Sequence, residues 1–293
     1  MPAWVVDLGL VYCAGVWGST FFIVKDALAG VDPVAMVAHR FLLAAVLLAP
    51  WALSRRAARR HLKESFLLAA LLFALYATQT VGLGHTSAAN SGFITGLFVI
   101  FVPLFLLVFL RQPPTRVQWG SSALALAGLW LLTGGVKAVN YGDAITLVSA
   151  ATYAGHLLAT DRFVRADADA VVLAFHQFWM CGAMAVLWCL AAGRPLAVGT
   201  EAAARTIMFL AVAPTLTAFF IQMYAQKTVA PVKVSLIFSL EPVFAAVFAW
   251  TVGGERFVPG AAAGGLLIVA AMMAGELSKL DLLKARRKEV LPS

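Results

Sequence analysis

The chain is 293 residues long, 62% hydrophobic and 12% charged, with a mean hydropathy of +0.89 and a formal net charge of +8. Soluble domains run about 45–50% apolar and about 25% charged, so a water-soluble core cannot absorb this composition and the solvent must be largely lipid. The positive charge does not mark a nucleic-acid binder, because the basic residues sit in short connectors between apolar runs, with no basic stripe interleaved with exposed aromatics.

A membrane span needs about 20 apolar residues. The sequence offers ten such runs: 4–24, 34–53, 65–84, 91–110, 117–136, 143–160, 170–192, 205–225, 231–251 and 259–280. The first has no basic leader before it and is followed by further runs, so it reads as a transmembrane helix rather than a cleaved signal peptide. The connectors are short, which makes neighbouring helices antiparallel and leaves no room for a soluble domain. With ten spans, both termini share a side with connectors 54–64, 111–116, 161–169 and 226–230. That side holds 15 Lys and Arg residues, against five on the other: Lys25, Lys137, Arg194, Arg205 and Arg256. The bias predicts a multi-pass protein of the cytoplasmic (inner) membrane with both termini cytoplasmic.

Two of the runs share a rare feature. Residues 98–110 read FVIFVPLFLLVFL and residues 238–250 read FSLEPVFAAVFAW, with Pro103 and Pro242 in their interiors. A proline removes a backbone donor and clashes with the preceding turn, which lipid tolerates when neighbouring helices re-satisfy the freed carbonyl. Dividing the chain after the fifth run aligns Trp17 with Tyr153 at an offset of 136, together with Asp7 and Asp143, Cys13 and Ser149, Thr20 and His156, and Arg40 and His176. Thr86-Ser87-Ala88 meets Thr228-Val229-Ala230 at an offset of 142, and the prolines align at 139. Five spans per half is an odd number, so the second half must enter the membrane from the opposite side. The predicted fold is therefore all-α and integral to the membrane: ten transmembrane helices as two inverted five-helix repeats around a central cavity. The first repeat covers residues 1–137, the second 138–280, and a basic cytoplasmic tail 281–293. Substrate sites in such folds lie near the midplane at the repeat interface, and rocking of the halves gives alternating access.

Several stretches carry a resemblance. GVWGSTFFIVK (15–25), HRFLLAAVLL (39–48), GLGHTSAANSGFITGLFVIFVPLF (82–105), KTVAPVKVSLIFSLEPVFAAVFAW (227–250) and ERFVPGAAAGGLLIVAAMMAG (255–275) occur in the order and spacing of the EamA family of the drug/metabolite transporter superfamily. The chain resembles that family over essentially its whole length. The resemblance implies ten helices, a central cavity lined mainly by helices 1, 3, 4, 6, 8 and 9, and export of small metabolites such as amino acids. One departure is visible: Thr86 to Pro103 takes 17 steps, but Thr228 to Pro242 takes 14.

The candidate site residues follow from polarity at membrane depth. Glu241 lies about ten residues into its run, ~15 Å from the surface at 1.5 Å per residue, where a carboxylate is a functional candidate by default. It can couple to protons or contact substrate, or it can satisfy backbone freed by Pro242; its first-half counterpart is Val102. Arg40 sits about six residues inside the second run, placed to snorkel outward, to bond loop carbonyls or to attract a substrate carboxylate. Glu241, Pro242, Pro103 and Arg40 form the expected coupling and gating set. Cys13, Trp17 and Thr20 share one helix face, and Ser149, Tyr153 and His156 share its repeat counterpart. Trp17 and Tyr153 are placed to sandwich an apolar, aromatic or cationic group, or to serve as packing. Tyr76, Gln79 and Thr80 make a polar stripe on the third run, echoed by Gln222 on the eighth, and Asn90 opens the fourth as substrate contact or N-cap. Trp17, Thr20, Tyr76, Gln79, Thr80, Asn90, Tyr153, His156 and Gln222 are the expected substrate-binding residues. Gly92 and Gly96, with Gly260 and Gly264, read as small-residue helix contacts within the monomer.

No metal or cofactor is expected. Cys13, Cys181 and Cys189 all lie inside apolar runs without ligand spacing and read as small hydrophobes. The expected function is a secondary-active or facilitative exporter of small metabolites, with amino acids, aromatic or hydrophobic ones included, as the leading class. A multidrug exporter of the same fold is the alternative, and a membrane-embedded lipid enzyme a distant one that lacks a nucleophile–base pair. No Walker motif appears, so ATP hydrolysis is not expected. The expected partners are a small-molecule substrate and the lipid bilayer, with no nucleic acid, and the monomer is the expected functional unit.

Overall fold

The computed structural model describes residues 2–135, 139–251 and 256–290, with side chains in the last helix through Gly275. The described residues are helical throughout, without strands. In chain order the elements are α1 (Ala3–Gly18), α2 (Thr20–Ala27), α3 (Pro33–Leu53), α4 (Leu62–His85), α5 (Ala88–Gly96), α6 (Phe98–Val108), α7 (Arg116–Thr133), α8 (Tyr141–Arg165), α9 (Ala170–Ala191), α10 (Glu201–Leu210), a π-helix (Ala211–Thr217), α11 (Ala218–Gln226), α12 (Pro231–Phe238), α13 (Glu241–Thr251) and α14 (Pro259–Val290). Among the described residues seven helical stretches are long and apolar enough to cross a membrane. The basic tail expected over 281–293 and the Lys137 connector lie outside the residues whose side chains are described.

Helix starts are marked by side-chain caps. Asp32 accepts from the N–H groups of Val34 and Ala35 ahead of Pro33, and Asp169 does the same for Val171 and Val172. Thr115 with Gln118, and Asn140 with Asp143, form reciprocal capping boxes. Each cap satisfies orphan donors that lipid cannot hydrate. Ser87, rather than Asn90, caps α5; Asn90 is the residue whose N–H the Ser87 hydroxyl accepts, at 3.0 Å.

Helices α3 and α9 pack together, as do α4 and α8, α7 and α14, and α1 and α11. Both α5 and α6 lie on α8, while α12 and α13 lie on α1. Exchanging each helix for its counterpart in the other half maps these pairings onto one another. Glycine sets two of the closest crossings. A Cβ on Gly18 would run into the Glu241 carbonyl, and one on Gly264 would run into the backbone of Gly128 and Leu132. Removing the side chain lets the backbones approach and bury dispersion contacts that lipid cannot compete for. Gly92 and Gly260 face open space instead, so only one glycine of each expected pair makes a contact.

The prolines do not sit where the helices break. The first break is at Leu97, six residues before Pro103, which lies inside α6. The second is at Ser239 and Leu240, directly before the α13 helix that contains Pro242. Two further irregularities interrupt the first and eighth runs: Ser19 separates α1 from α2, and the π-helix with Pro214 at its centre separates α10 from α11. Around Ser19 and Ser239, hydroxyls turn back onto carbonyls three residues earlier (Ser19 to Val16, Thr20 to Trp17, Ser239 to Leu236), competing with the ladder as such groups do in apolar helices.

Candidate functional site

The irregular stretches converge on a cluster of rings. Trp17 of α1 lies edge-on to Phe238 of α12 at 4.9 Å between centroids and to Tyr153 of α8 at 6.2 Å, and tilted against Phe219 of α11 at 5.5 Å. Tyr153 in turn stands 4.4 Å from Phe98 of α6, and Tyr76 of α4 stands 5.2 Å from Phe41 of α3. All are buried. The pairing of Trp17 with Tyr153 expected from the repeat is therefore a contact across the two halves.

The π-helix orders this cluster. Its widened turn frees groups that a regular α-helix would use internally. The Pro214 carbonyl accepts the Trp17 indole N–H at 2.7 Å. One residue on, the Thr215 hydroxyl accepts from Arg40 Nε and Nη2 at 3.0 and 2.9 Å. Arg40 does not snorkel to the surface. Its guanidinium carbon lies 4.4 Å from the Tyr76 ring centroid and 5.2 Å from that of Phe41, a cation on aromatic faces. The second span thus delivers its charge to the ring cluster, because the acceptor it reaches is on an irregular turn 175 residues away.

Glu241 opens α13, where the helix N-terminus favours a carboxylate. It is 6% exposed and makes no hydrogen bond or ion pair with the described residues. Its backbone carbonyl lies against Gly18 of α1, the residue after Trp17. Arg40 likewise has no carboxylate partner among them. Two buried ionisable groups, Arg40 and Glu241, are thus present among the described residues without an ion pair between them. The Tyr153 hydroxyl is also buried and unpartnered.

On the arginine-rich side of the rings, His156 Nε2 meets Gln177 Oε1 at 2.9 Å, which makes Nε2 the protonated nitrogen and leaves Nδ1 as an open acceptor. Gln222 donates to Gln226 at 3.0 Å, and Gln226 donates to the Leu157 carbonyl at 2.9 Å, tying α11 to α8. The Gln222 carbonyl oxygen and the Thr160 hydroxyl remain unpartnered. On the other flank Gln79 donates to Thr95 at 3.2 Å. Thr20, Arg40, Gln79 and Thr80 border a cavity of about 20 Å³, room for little more than a water. A larger apolar cavity of about 220 Å³ lies beyond Pro242, lined by Phe21, Phe22, Ala245 and Trp250.

Of the residues expected at the site, Trp17, Tyr76, Tyr153, Arg40 and Glu241 come together around the rings. Thr20, Gln79 and Thr80 gather at the small cavity, while His156 and Gln222 form the glutamine layer. Asn90 shares no hydrogen bond or ring contact with the cluster. Thr215 and Pro214 were not anticipated; the signal available was a proline inside an apolar run, the same signal that drew attention to Pro103 and Pro242.

Three comparisons bear on identity. An "uncharacterized transporter" of Archaeoglobus fulgidus is 29% identical over 274 residues, 91% of this chain and 84% of the relative. The "uncharacterized inner membrane transporter YedA" of Escherichia coli K12 is 25% identical over 252 residues, 82% of this chain and 80% of the relative. A crystal structure superposes with a TM-score of 0.81 over 95% of this chain and 98% of its own, at 17% identity, which shows a shared fold. The EamA-like transporter family matches twice, at residues 4–134 and 140–274. A chain that spans the bilayer several times and carries this family's pattern in each half is a member of the EamA-like transporter family, a multi-pass membrane transporter.

Proposed function

We propose that the chain exports small metabolites, with amino acids as the leading class, by alternating access in the cytoplasmic membrane. Two inverted repeats of five spans each, residues 1–137 and 138–280, make ten spans in all and rock about the ring cluster, with both termini cytoplasmic. The helix pairings that map onto one another between halves support the repeat, and the Lys and Arg bias supports the orientation.

The observation that carries the substrate class is the pair of buried ionisable groups, Arg40 and Glu241, neither of which has an oppositely charged partner among the described residues. Isolated charges at membrane depth are costly and are retained for function. A zwitterion neutralises both at once: its carboxylate meets the Arg40 guanidinium and its ammonium meets Glu241. The rings of Trp17, Tyr153 and Tyr76 add cation–π attraction for the ammonium and an apolar wall for a side chain. The same carboxylate can take a proton when no ammonium is present, which is the exchange that secondary-active export requires.

Proteoliposomes loaded with a panel of labelled amino acids, with and without an imposed pH gradient, test this reading. Flux of at least one amino acid is expected, and no flux of any would remove the class. Amines that lack the carboxyl group separate the multidrug alternative, since they move as fast as the parent amino acids only if Arg40 plays no part.

A further inference from the structure

The two ends of the molecule carry related contacts built around an aspartate. On the side away from the arginine-rich connectors, Thr86 joins α4 to α5. Its carbonyl accepts from Lys25 Nζ at 2.5 Å, and Lys25 is in the last turn of α2. Its hydroxyl donates to Asp143 Oδ1 at 2.5 Å, and Asp143 is in the first turn of α8. Asn140 adds a 3.3 Å bond to the same hydroxyl.

On the arginine-rich side, the segment joining α11 to α12 is held in the same way. The Val229 carbonyl accepts from Arg165 Nη2 at 2.7 Å, and Arg165 ends α8. Four residues on, Lys233 Nζ lies 2.9 Å from both carboxylate oxygens of Asp7, near the start of α1.

The correspondence follows the repeat. Asp7 and Asp143 are 136 positions apart, and Val229 directly follows Thr228, which lies 142 positions after Thr86, while Lys233 stands inside α12. In each case a cation at the C-terminal end of one central helix grips the connector of its own half, while the aspartate comes from the other half. The aspartate contacts are therefore the ones that a movement of one half against the other must break. The chemistry differs between the ends. Asp143 is 3% exposed and bonded to a neutral hydroxyl, whereas the Asp7 and Lys233 side chains keep 33% and 20% exposure and form an ion pair.

We infer that these two aspartate-centred clamps are the gates of the transporter, Asp7–Lys233 closing the arginine-rich side and Asp143–Thr86 closing the other, and that both are shut in this structure. The inference adds named gates to the alternating-access reading, and its test does not depend on the substrate. Cys13 reports the state of the interior: it is fully buried on α1, its thiol bonded to the Ala218 carbonyl at 3.3 Å.

The experiment uses the full chain with Cys181 and Cys189 replaced by alanine, in membrane vesicles of defined orientation. A membrane-impermeant maleimide is added from one side, and alkylation of Cys13 is followed with time. Asp7→Asn is expected to raise the rate from the arginine-rich side by about two- to fivefold, the population change that loss of a partly exposed ion pair allows. Lys233→Met should act alike, and the exchange Asp7→Lys with Lys233→Asp should return the rate toward that of the parent. Asp143→Asn should raise labelling from the opposite side only. Size-exclusion elution at the parent position shows that each variant is folded. Folded Asp7→Asn and Lys233→Met proteins that label at the parental rate would overturn the cytoplasmic gate. Equal increases from both sides would mean that the aspartates merely hold the fold together.

Discussion

Trp17 on α1 and Tyr153 on α8 occupy matching places in the two halves, yet their helices treat polar atoms differently. On α1 and at the start of α2 these valences are tied down: the Cys13 thiol to Ala218, the Trp17 indole to Pro214, the Thr20 hydroxyl to the Trp17 carbonyl. On α8 the Tyr153 hydroxyl, His156 Nδ1 and the Thr160 hydroxyl, spaced along one face, are buried without partners. The same imbalance recurs on the broken helices, where buried Val102 stands at the place of Glu241. A buried unpaired polar group costs about 1–3 kcal/mol, so such groups persist where a water or a ligand completes them. Along these matching faces α1 is tied to its neighbours, while α8 and the start of α13 leave polar groups open to a water or a ligand.

The sharpest way to break that contrast is at Glu241. Glu241→Gln should lower flux in proteoliposomes about 100-fold, within the 2–5 kcal/mol that truncating one member of a buried charge pair costs. Its melting temperature in detergent should hold or rise, because the substitution removes an ionisable carboxyl buried without a hydrogen-bond partner among the described residues. Parental flux in this variant would place the working carboxylate elsewhere.

Trp17 and Tyr153 should then fail in different ways. Trp17→Phe leaves the Pro214 carbonyl without its donor and should destabilise the protein by about 1–3 kcal/mol, read as a lower melting temperature, with little change in KM. Tyr153→Phe removes a hydroxyl that has no protein partner. It should leave the melting temperature unchanged and raise KM by roughly tenfold, the worth of about one hydrogen bond to the substrate. Similar thermal losses in both variants would erase the distinction between frame and site. The smallest effect is expected at Thr20, whose hydroxyl bonds to its own helix: Thr20→Val should change flux less than about twofold.

How much of this was legible depends on the range of the interaction. Apolar runs and caps are local, so the expected 34–53 and 170–192 lie within two residues of the observed Pro33–Leu53 and Ala170–Ala191. The juxtaposition of Trp17 and Tyr153 came from repeat alignment, which carries long-range information in sequence form. Arg40 was read by its distance from a helix end, which places its Cα but not its side chain. The π-helix escaped because a proline in an apolar run does not say which way the ladder will reorganise. At Pro242 the helix broke just before the proline, at Pro103 it continued through, and at Pro214 it widened.

The sequence by itself determined that this is an all-helical membrane protein, that its two halves are related, and that a few polar groups are buried at membrane depth. Hydropathy, charge asymmetry and repetition are properties of short segments or of their order along the chain, and lipid leaves an apolar segment little choice but a helix. Only the tertiary structure decided which of those groups are satisfied. The partners of Trp17, Arg40 and Asp7 lie 197, 175 and 226 residues away. Whether a buried polar atom is satisfied depends on whether packing brings it such a partner, and Glu241 and the Tyr153 hydroxyl are among those left without.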